Sequence, residues 1–353
     1  MNKLINILKK NEFIPLDKFI NIALYEKKTG YYMKKNPLGK NGDYITAPLI
    51  SNLFGEMIAI WCVSYWEYLG KPKKIIVAEL GPGDGSLCQD LLSAFKNFKD
   101  FYKSVEIRLM EKSNKLKSIQ KTKIKCNKVK WIKSIQELNS GPLIFIANEF
   151  FDSLAIKQIL KKNNLFFEKH VMLSNKKIKF VYKKAKKNLI NNIRKLKLEN
   201  NSEHIIEYPS DAIYYLNELA KKIRKYDGGL LIFDYGYTKT KSGDTLQSVK
   251  NHKFIDILKK PGDADITTHI NYDLFFNVLM KNNLIVEKIV TQSEFLQKLG
   301  IINRANLLSK EINFKKKIKI FYQLKKLLDQ QEMGGLFKVL FAKRKKNKFS
   351  LGF

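Results

Sequence analysis

The stretch IIVAELGPGDGSLCQDLL, residues 75–92, writes a strand, a glycine loop and a helix start in immediate succession. Ile75, Ile76, Val77 and Ala78 form an apolar, partly β-branched run of the kind that fills a strand buried on both faces of a parallel sheet. The run ends at Glu79. Gly81, Gly83 and Gly85 then alternate with Pro82 and Asp84, and Leu87, Leu91 and Phe95 follow at a helical spacing of four. Strand, turn and helix in that order suit a nucleotide ligand. Glycines let the backbone turn tightly and approach the ligand, while the free N–H groups of a helix start face an anion. A dinucleotide fingerprint requires a third glycine where this chain has Ser86.

The pattern acid-x-Gly-x-Gly-x-Gly, Glu79 to Gly85, instead resembles the first motif of class I S-adenosylmethionine (SAM) methyltransferases. The next strand-like run, Val105 to Met110, ends at Glu111, where a carboxylate can accept hydrogen bonds from both ribose hydroxyls of an adenosyl group. The resemblance implies SAM as cofactor, with Glu79, Gly81, Gly83, Gly85 and Glu111 around it.

At 353 residues and 44% hydrophobic composition, the chain is globular and can bury one large core or two modest ones. No apolar run approaches the ~20 residues of a membrane span. Met1 to Lys10 reads as a short amphipathic helix and as mature sequence, without a secretory apolar core or the arginines of a transit peptide. Cys62, Cys88 and Cys126 are odd in number, far apart and without a histidine cluster, which points to a reducing cytoplasm and to no metal site. The net charge of +33 raises nucleic acid or an anionic membrane as a partner. Lysines are nevertheless spread over nearly every polar segment, as solvated faces require. The densest runs, Lys183 to Lys187 and Lys343 to Lys348, read as a loop and a tail.

Pro15 is placed to begin a helix carrying Phe19, Ile20, Ala23 and Leu24 on one face. Tyr31 to Pro48 reads as irregular, punctuated by Asn36-Pro37, Gly39, Asn41-Gly42 and Ala47-Pro48; loops this long in compact domains are usually functional. Ile50 to Tyr68 reads as a nearly all-apolar buried helix. Further strands are expected at Val105 to Met110, Val129 to Ile132, Leu143 to Ala147, Leu230 to Phe233, Leu284 to Val290 and Lys338 to Ala342, with a helix at Ser210 to Lys225. Seven strands, mostly parallel, make an α/β Rossmann-like sheet. Alternating runs between Leu154 and Tyr182 predict inserted antiparallel hairpins, a lid or partner platform. Four consecutive segments follow: an N-terminal helical and loop segment over the cleft (1–70), a SAM-binding half (71–153), an inserted β-rich region (154–209), and the second half of the sheet (210–353) with an active-site insertion at 237–270.

The Leu143 strand runs into Asn148-Glu149-Phe150-Phe151-Asp152. Strand carboxyl ends line the cleft of an open parallel sheet, so Glu149 and Asp152 are the candidate catalytic acids. Methyltransferases acting on base amino groups place Asn/Asp-Pro-Pro-aromatic here, and this chain has no such Pro-Pro. A carboxylate pair suits a cationic acceptor such as a guanidinium, held bidentately while its proton is drawn off.

Across most of its length the chain resembles the MidA-type methyltransferases, whose mitochondrial members are arginine methyltransferases that assist assembly of respiratory complex I. The resemblance rests on Gly30-Tyr31-Tyr32, Gly42-Asp43-Tyr44-Ile45-Thr46-Ala47-Pro48, Phe54-Gly55-Glu56, Glu79 to Gly83, Asn148 to Asp152, Asp234-Tyr235-Gly236, Gly243 to Leu246, Asp265-Ile266-Thr267-Thr268-His269 and Met333-Gly334. It implies that Gly42 to Pro48 and Asp265 to His269 fold over the cleft. Gly42, Asp43, Tyr44, Thr46, Pro48, Asp265 and Thr267 would then meet the substrate, Asn148 the cofactor, and His269 would orient a carboxylate or shuttle a proton. The implied activity is methylation of a protein arginine, on a complex I subunit in the related proteins. Methylation of RNA or DNA, or SAM-dependent chaperoning without turnover, are the alternatives. Two departures stand out: Leu49 replaces the acid that commonly follows the matching proline, and Asp84 replaces a loop arginine.

Overall fold

The computed structural model describes residues 2–34, 37–39, 42–199, 203–239 and 243–353. The turn signals at Asn36 and Asn41 lie outside the described residues. The chain divides into two compact units, each assembled from three separate stretches. Met1–Tyr44, Phe151–Leu216 and Tyr237–Val278 form the hairpin unit; Ile45–Phe150, Asn217–Gly236 and Leu279–Phe353 form the sheet unit. This division differs from four consecutive segments, because the N-terminal helices, the inserted hairpins and the 237–278 stretch share one unit while the helix Asn52–Tyr68 belongs to the other.

In the sheet unit the strands run in the spatial order Leu284–Val286, Phe337–Arg344, Gly228–Tyr237, Leu143–Asn148, Ile75–Leu80, Val105–Met110, Val129–Ile132. The last five pair in parallel, and Phe337–Arg344 lies antiparallel to its neighbours. All six residues of Ile75–Leu80 are buried, which explains the unbroken apolar run at the centre of the sheet. The expected strand Leu284 to Val290 is interrupted: Leu284–Val286 and Val290–Thr291 both pair with Phe337–Arg344. Glu287 bridges the gap by donating its N–H to the Phe341 carbonyl.

The apolar helix starts at Asn52 rather than Ile50, because extended Ser51 caps it by accepting from the Leu53 N–H, while Ala47–Ile50 forms a separate turn. Its Trp61, Tyr65 and Trp66 are buried, each worth roughly 1.5–3 kcal/mol of hydrophobic stabilisation. Their polar tips are satisfied by the carbonyls of Leu351, Gly228 and Pro72 at 3.0, 2.8 and 2.9 Å.

In the hairpin unit Lys157–Lys162, Leu165–Ser174 and Lys177–Lys184 form the antiparallel meander expected of the insertion; His204–Tyr208 pairs with Lys157–Lys162 and Ile14–Pro15 with the middle strand Leu165–Ser174. Pro15 precedes the helix Leu16–Tyr25, whose Leu16, Phe19, Ile20, Ala23 and Leu24 are buried. Tyr31 to Pro48 is less irregular than its composition suggests, holding a helical turn at Tyr31–Lys34 and a bridge between Leu38 and Tyr44. Gln247–Lys250, Lys253–Phe254 and Asp265–Thr267 make a small three-stranded sheet. Each lysine run is only partly loop or tail, with 185–186 and 345–348 outside helices and strands. Lys183 and Lys184 end a strand and Lys187 begins a helix; Lys343 is buried in a strand, its ammonium shared by Glu287 and the Phe349 carbonyl.

Candidate active site

The sheet unit builds its half of the site at the carboxyl end of Ile75–Leu80. Gly81, Gly83 and Gly85 all adopt positive φ, at +65°, +55° and +83°, a region costly for any residue with a Cβ. A Cβ on Gly81 would also stand 2.9 Å from the Phe150 ring. The loop delivers the chain into the helix Ser86–Phe95, with Gly85 at its N-cap. Asp84, where the family commonly has arginine, accepts from the Ser86 N–H at 3.0 Å and pairs with Lys123 at 2.9 Å. Its charge is thus neutralised within the loop's own surroundings.

Glu111 follows Val105–Met110 and is buried, accepting from the Ser113 N–H at 2.7 Å and from Gln120 at 3.3 Å. A carboxylate has about four acceptor positions, so it retains capacity for a diol. Burial raises its pKa. Gln120 also donates to the Gly83 carbonyl at 2.7 Å and accepts from Trp131 at 2.8 Å. It ties the glycine loop to Glu111, a role the sequence signals only as a glutamine on a helix face.

Glu79 is buried, and burial, followed by Asp84, Glu111 and Asp90, pushes its pKa to about 8. Glu79 Oε2 and Asn148 Oδ1 are buried and, among the described residues, have no hydrogen-bond partner. Each orphaned acceptor costs about 1–3 kcal/mol, a cost that a ligand donor removes. SAM carries an ammonium, a sulfonium and a ribose diol; an unsatisfied acid, an unsatisfied amide oxygen and a buried acceptor beside a Cβ-free loop fit it. Asn148 ends Leu143–Asn148 and donates to Glu149 at 3.3 Å. Glu149 adopts φ +49°, a left-handed conformation that costs about 1–2 kcal/mol without glycine. Such strain at a strand's carboxyl end is often tolerated for function. Thr46 and Pro48 belong to this unit, at the start of the turn Ala47–Ile50.

The hairpin unit gathers the other candidates. Asp43 accepts from the Tyr31 hydroxyl at 2.6 Å and from the Asn251 N–H at 2.9 Å, and its carbonyl accepts from the His252 N–H. Gly42 makes this possible, since a Cβ there would stand 2.1 Å from the Pro37 carbonyl. Asp265 accepts from the Tyr32 hydroxyl at 2.8 Å and from the Ile266 N–H at 2.9 Å. Tyr44 reaches the Tyr32 hydroxyl at 3.4 Å, Tyr25 stacks on Tyr32 at 5.5 Å, and the Tyr25 hydroxyl meets Ser153 at 3.3 Å. The Asp152 carbonyl accepts from the Thr268 N–H at 3.0 Å. Burial, then the neighbouring Asp152, with Asp43 further down, raises Asp265 to about 7. Burial and Asp265 push the Tyr32 and Tyr44 hydroxyls well above their usual range. Three aspartates and four tyrosines therefore form one nest.

His269 stands beside a different group. Its N–H donates to Thr245 Oγ1 at 3.0 Å, and the Thr245 hydroxyl donates to Glu207 at 2.6 Å. His269, Glu207, Tyr237 and Asn271 line a cavity of only about 20 Å³. Thr267 accepts from Gln247 within the three-stranded sheet. Of the expected acids, Glu149 falls in the sheet unit and Asp152 in the hairpin unit. The sequence does not single out Tyr25, Tyr31, Tyr32 or Ser153 as site residues, although Tyr31-Tyr32 stands in one of the motifs that carry the family resemblance.

The profile of a family of S-adenosyl-L-methionine-dependent methyltransferases matches residues 57–289. Among curated proteins, "Protein arginine methyltransferase NDUFAF7, mitochondrial" of Xenopus tropicalis is 30% identical over 96% of this chain and 84% of its own length. The protein of that name in Homo sapiens is 27% identical over 94% and 80%. Among solved structures, a Burkholderia thailandensis protein bound to S-adenosyl-homocysteine superposes with a TM-score of 0.84 at 21% identity, covering 98% of this chain and 92% of that one. The profile spans more than half of the chain and the relatives nearly all of it, so the chain belongs to the MidA-type family of S-adenosyl-L-methionine-dependent methyltransferases and takes SAM as its cofactor.

Proposed function

We propose that this methyltransferase acts on the guanidinium of a protein arginine, held in the acid–tyrosine nest of the hairpin unit. One observation carries the reading: Asp43, Asp152 and Asp265 crowd their carboxyls into one buried setting lined by tyrosines, and burial with the neighbouring Asp152 raises Asp265 to about 7. Such a nest favours an incoming permanent cation and disfavours phosphate. Arginine stays protonated at every physiological pH and offers a planar fork of donors to paired carboxylates. The names of the relatives support the same acceptor.

Bound SAM would supply an electrophilic methyl on its sulfonium. Asp265 and Asp152 would hold the guanidinium and take up the proton that its attacking nitrogen loses as the methyl arrives, while Tyr25, Tyr32 and Tyr44 would exclude water around it. Positioning and electrostatics supply most of the acceleration in such an arrangement. His269 would orient the segment behind the acids instead of touching the acceptor. The acceptor would be a protein, with a respiratory complex I subunit as the family's candidate. The free thiols Cys62, Cys88 and Cys126 suit the reducing cytoplasm as its compartment.

Asp265→Asn is the test. It should lower kcat/KM for the acceptor about a hundredfold while SAM affinity by calorimetry stays within about threefold. In the wild-type enzyme kcat/KM for the acceptor should rise with pH through about 7, as Asp265 ionises, and the variant should lose that step. Unchanged transfer in a folded Asp265→Asn protein would remove the nest from the acceptor site.

A further inference from the structure

The helix Phe314–Leu328, FKKKIKIFYQLKKLL, carries six lysines and no acid. It rests on the sheet unit through Leu324 and Leu327, which are buried, with Ile320, Phe321 and Leu328 packed beside them. Its other side leaves Phe314 at 77%, Ile318 at 53% and Tyr322 at 59% exposure. Four-residue spacing puts these three on one stripe, and Lys315, Lys319 and Lys326 fall along one edge of it at a helical 100° per residue. The preceding helix Ile301–Leu308 packs against this one and exposes Ile302 and Leu307. Among the described residues none of the six lysines forms an ion pair with a carboxylate.

We propose that this face docks the enzyme on an anionic lipid surface, the helix lying in the interface with Phe314, Ile318 and Tyr322 inserted and the lysines against the headgroups. An apolar stripe bordered by lysines that no carboxylate neutralises, Lys326 lying 5.2 Å from the Tyr322 ring centre, is complementary in both polarity and charge to a negatively charged bilayer. Single-stranded RNA is less well served, since it stacks bases on aromatic platforms and Ile318 offers no ring. Among the described residues no helix is long and apolar enough to cross a membrane, so the association would be peripheral.

The experiment is vesicle co-sedimentation of the full chain at physiological salt, with phosphatidylcholine alone and with phosphatidylcholine containing phosphatidylglycerol. The wild-type protein should partition at least about tenfold more strongly onto the anionic vesicles. Phe314→Ser/Ile318→Ser/Tyr322→Ser and, separately, Lys315→Glu/Lys319→Glu/Lys326→Glu should each lower that binding about tenfold or more, with SAM affinity unchanged as the check on folding. Equal binding to both vesicles would overturn the proposal. So would loss with the lysine variant alone, which is unspecific charge attraction. A shift from dimer to monomer in the serine variant with vesicle binding intact would assign the face to a second copy, and tighter binding of RNA than of vesicles would assign it to nucleic acid. Either result would overturn the proposal as well.

Discussion

The glycine loop and the acid–tyrosine nest are built in opposite ways. The loop takes seven consecutive residues, Glu79 to Gly85, plus Glu111 and the tie through Gln120. The nest draws Tyr25, Tyr31, Tyr32, Asp43, Tyr44, Asp152, Ser153 and Asp265 from distant stretches, its Tyr32–Asp265 hydrogen bond spanning 233 positions. A site written locally constrains one turn, so its residue types are dictated by backbone geometry. A site assembled from distant stretches constrains only how those stretches meet, and its residues look ordinary where they stand. The loop is therefore sensitive to shape, and the nest to charge.

The largest expected effect tests the shape side. Gly83 sits at φ +55° in the glycine loop; with that loop taken as the SAM site, Gly83→Val should weaken SAM binding by about a hundredfold or more, measured by calorimetry. A folded Gly83→Val protein with wild-type SAM affinity would detach the loop from the cofactor.

The charge side is probed by Glu149→Gln and Asp152→Asn. Each keeps volume and removes charge, so methyl transfer should fall about a hundredfold while SAM affinity changes by no more than about threefold. Because the two acids lie in different units, unequal losses would show which unit carries the acceptor's charge.

A smaller effect concerns pH and stability. Glu79 has its pKa raised to about 8, above its value in the unfolded chain. The folded state then holds a proton that the unfolded state has released, so the stabilisation is complete below about pH 4 and is lost as pH rises toward 8. Glu79→Gln removes this loss. In thermal unfolding without ligand, its advantage over the wild-type protein should grow between pH 5 and pH 8 by at least about 1 kcal/mol. An advantage independent of pH would mean that Glu79 titrates normally.

The smallest effect is expected at Asp84. Its partner Lys123 is 27% exposed, and such pairs are worth about 0–1 kcal/mol. Asp84→Asn should move SAM affinity less than about threefold, whereas a large loss would give this departure from the family a direct role at the cofactor.

The same contrast explains what was legible in the sequence. Val105–Met110 and Val129–Ile132 lie where hydrophobic runs place them, and the glycine loop is recognisable because only glycine tolerates its φ values. The parallel order of the sheet followed from strands alternating with helices. What escaped was tertiary. Gln120 is indistinguishable on its helix from any polar residue until the chain brings Gly83 and Glu111 to it. Ser51 hides a helix boundary inside an apolar run, since only its extended backbone makes it a cap. Lys343 reads as tail but is buried, because Glu287 and the Phe349 carbonyl meet its charge. The division into two discontinuous units depends on chain crossings that no local pattern records.

The central claim is that the nest receives an arginine. Its most direct test incubates the enzyme with methyl-labelled SAM and a lysate, hydrolyses the labelled product to amino acids and separates them. The account predicts label in methylated arginine, reduced about a hundredfold when Asp265→Asn replaces the wild-type enzyme. Label in lysine, or in a nucleic-acid base, would contradict it.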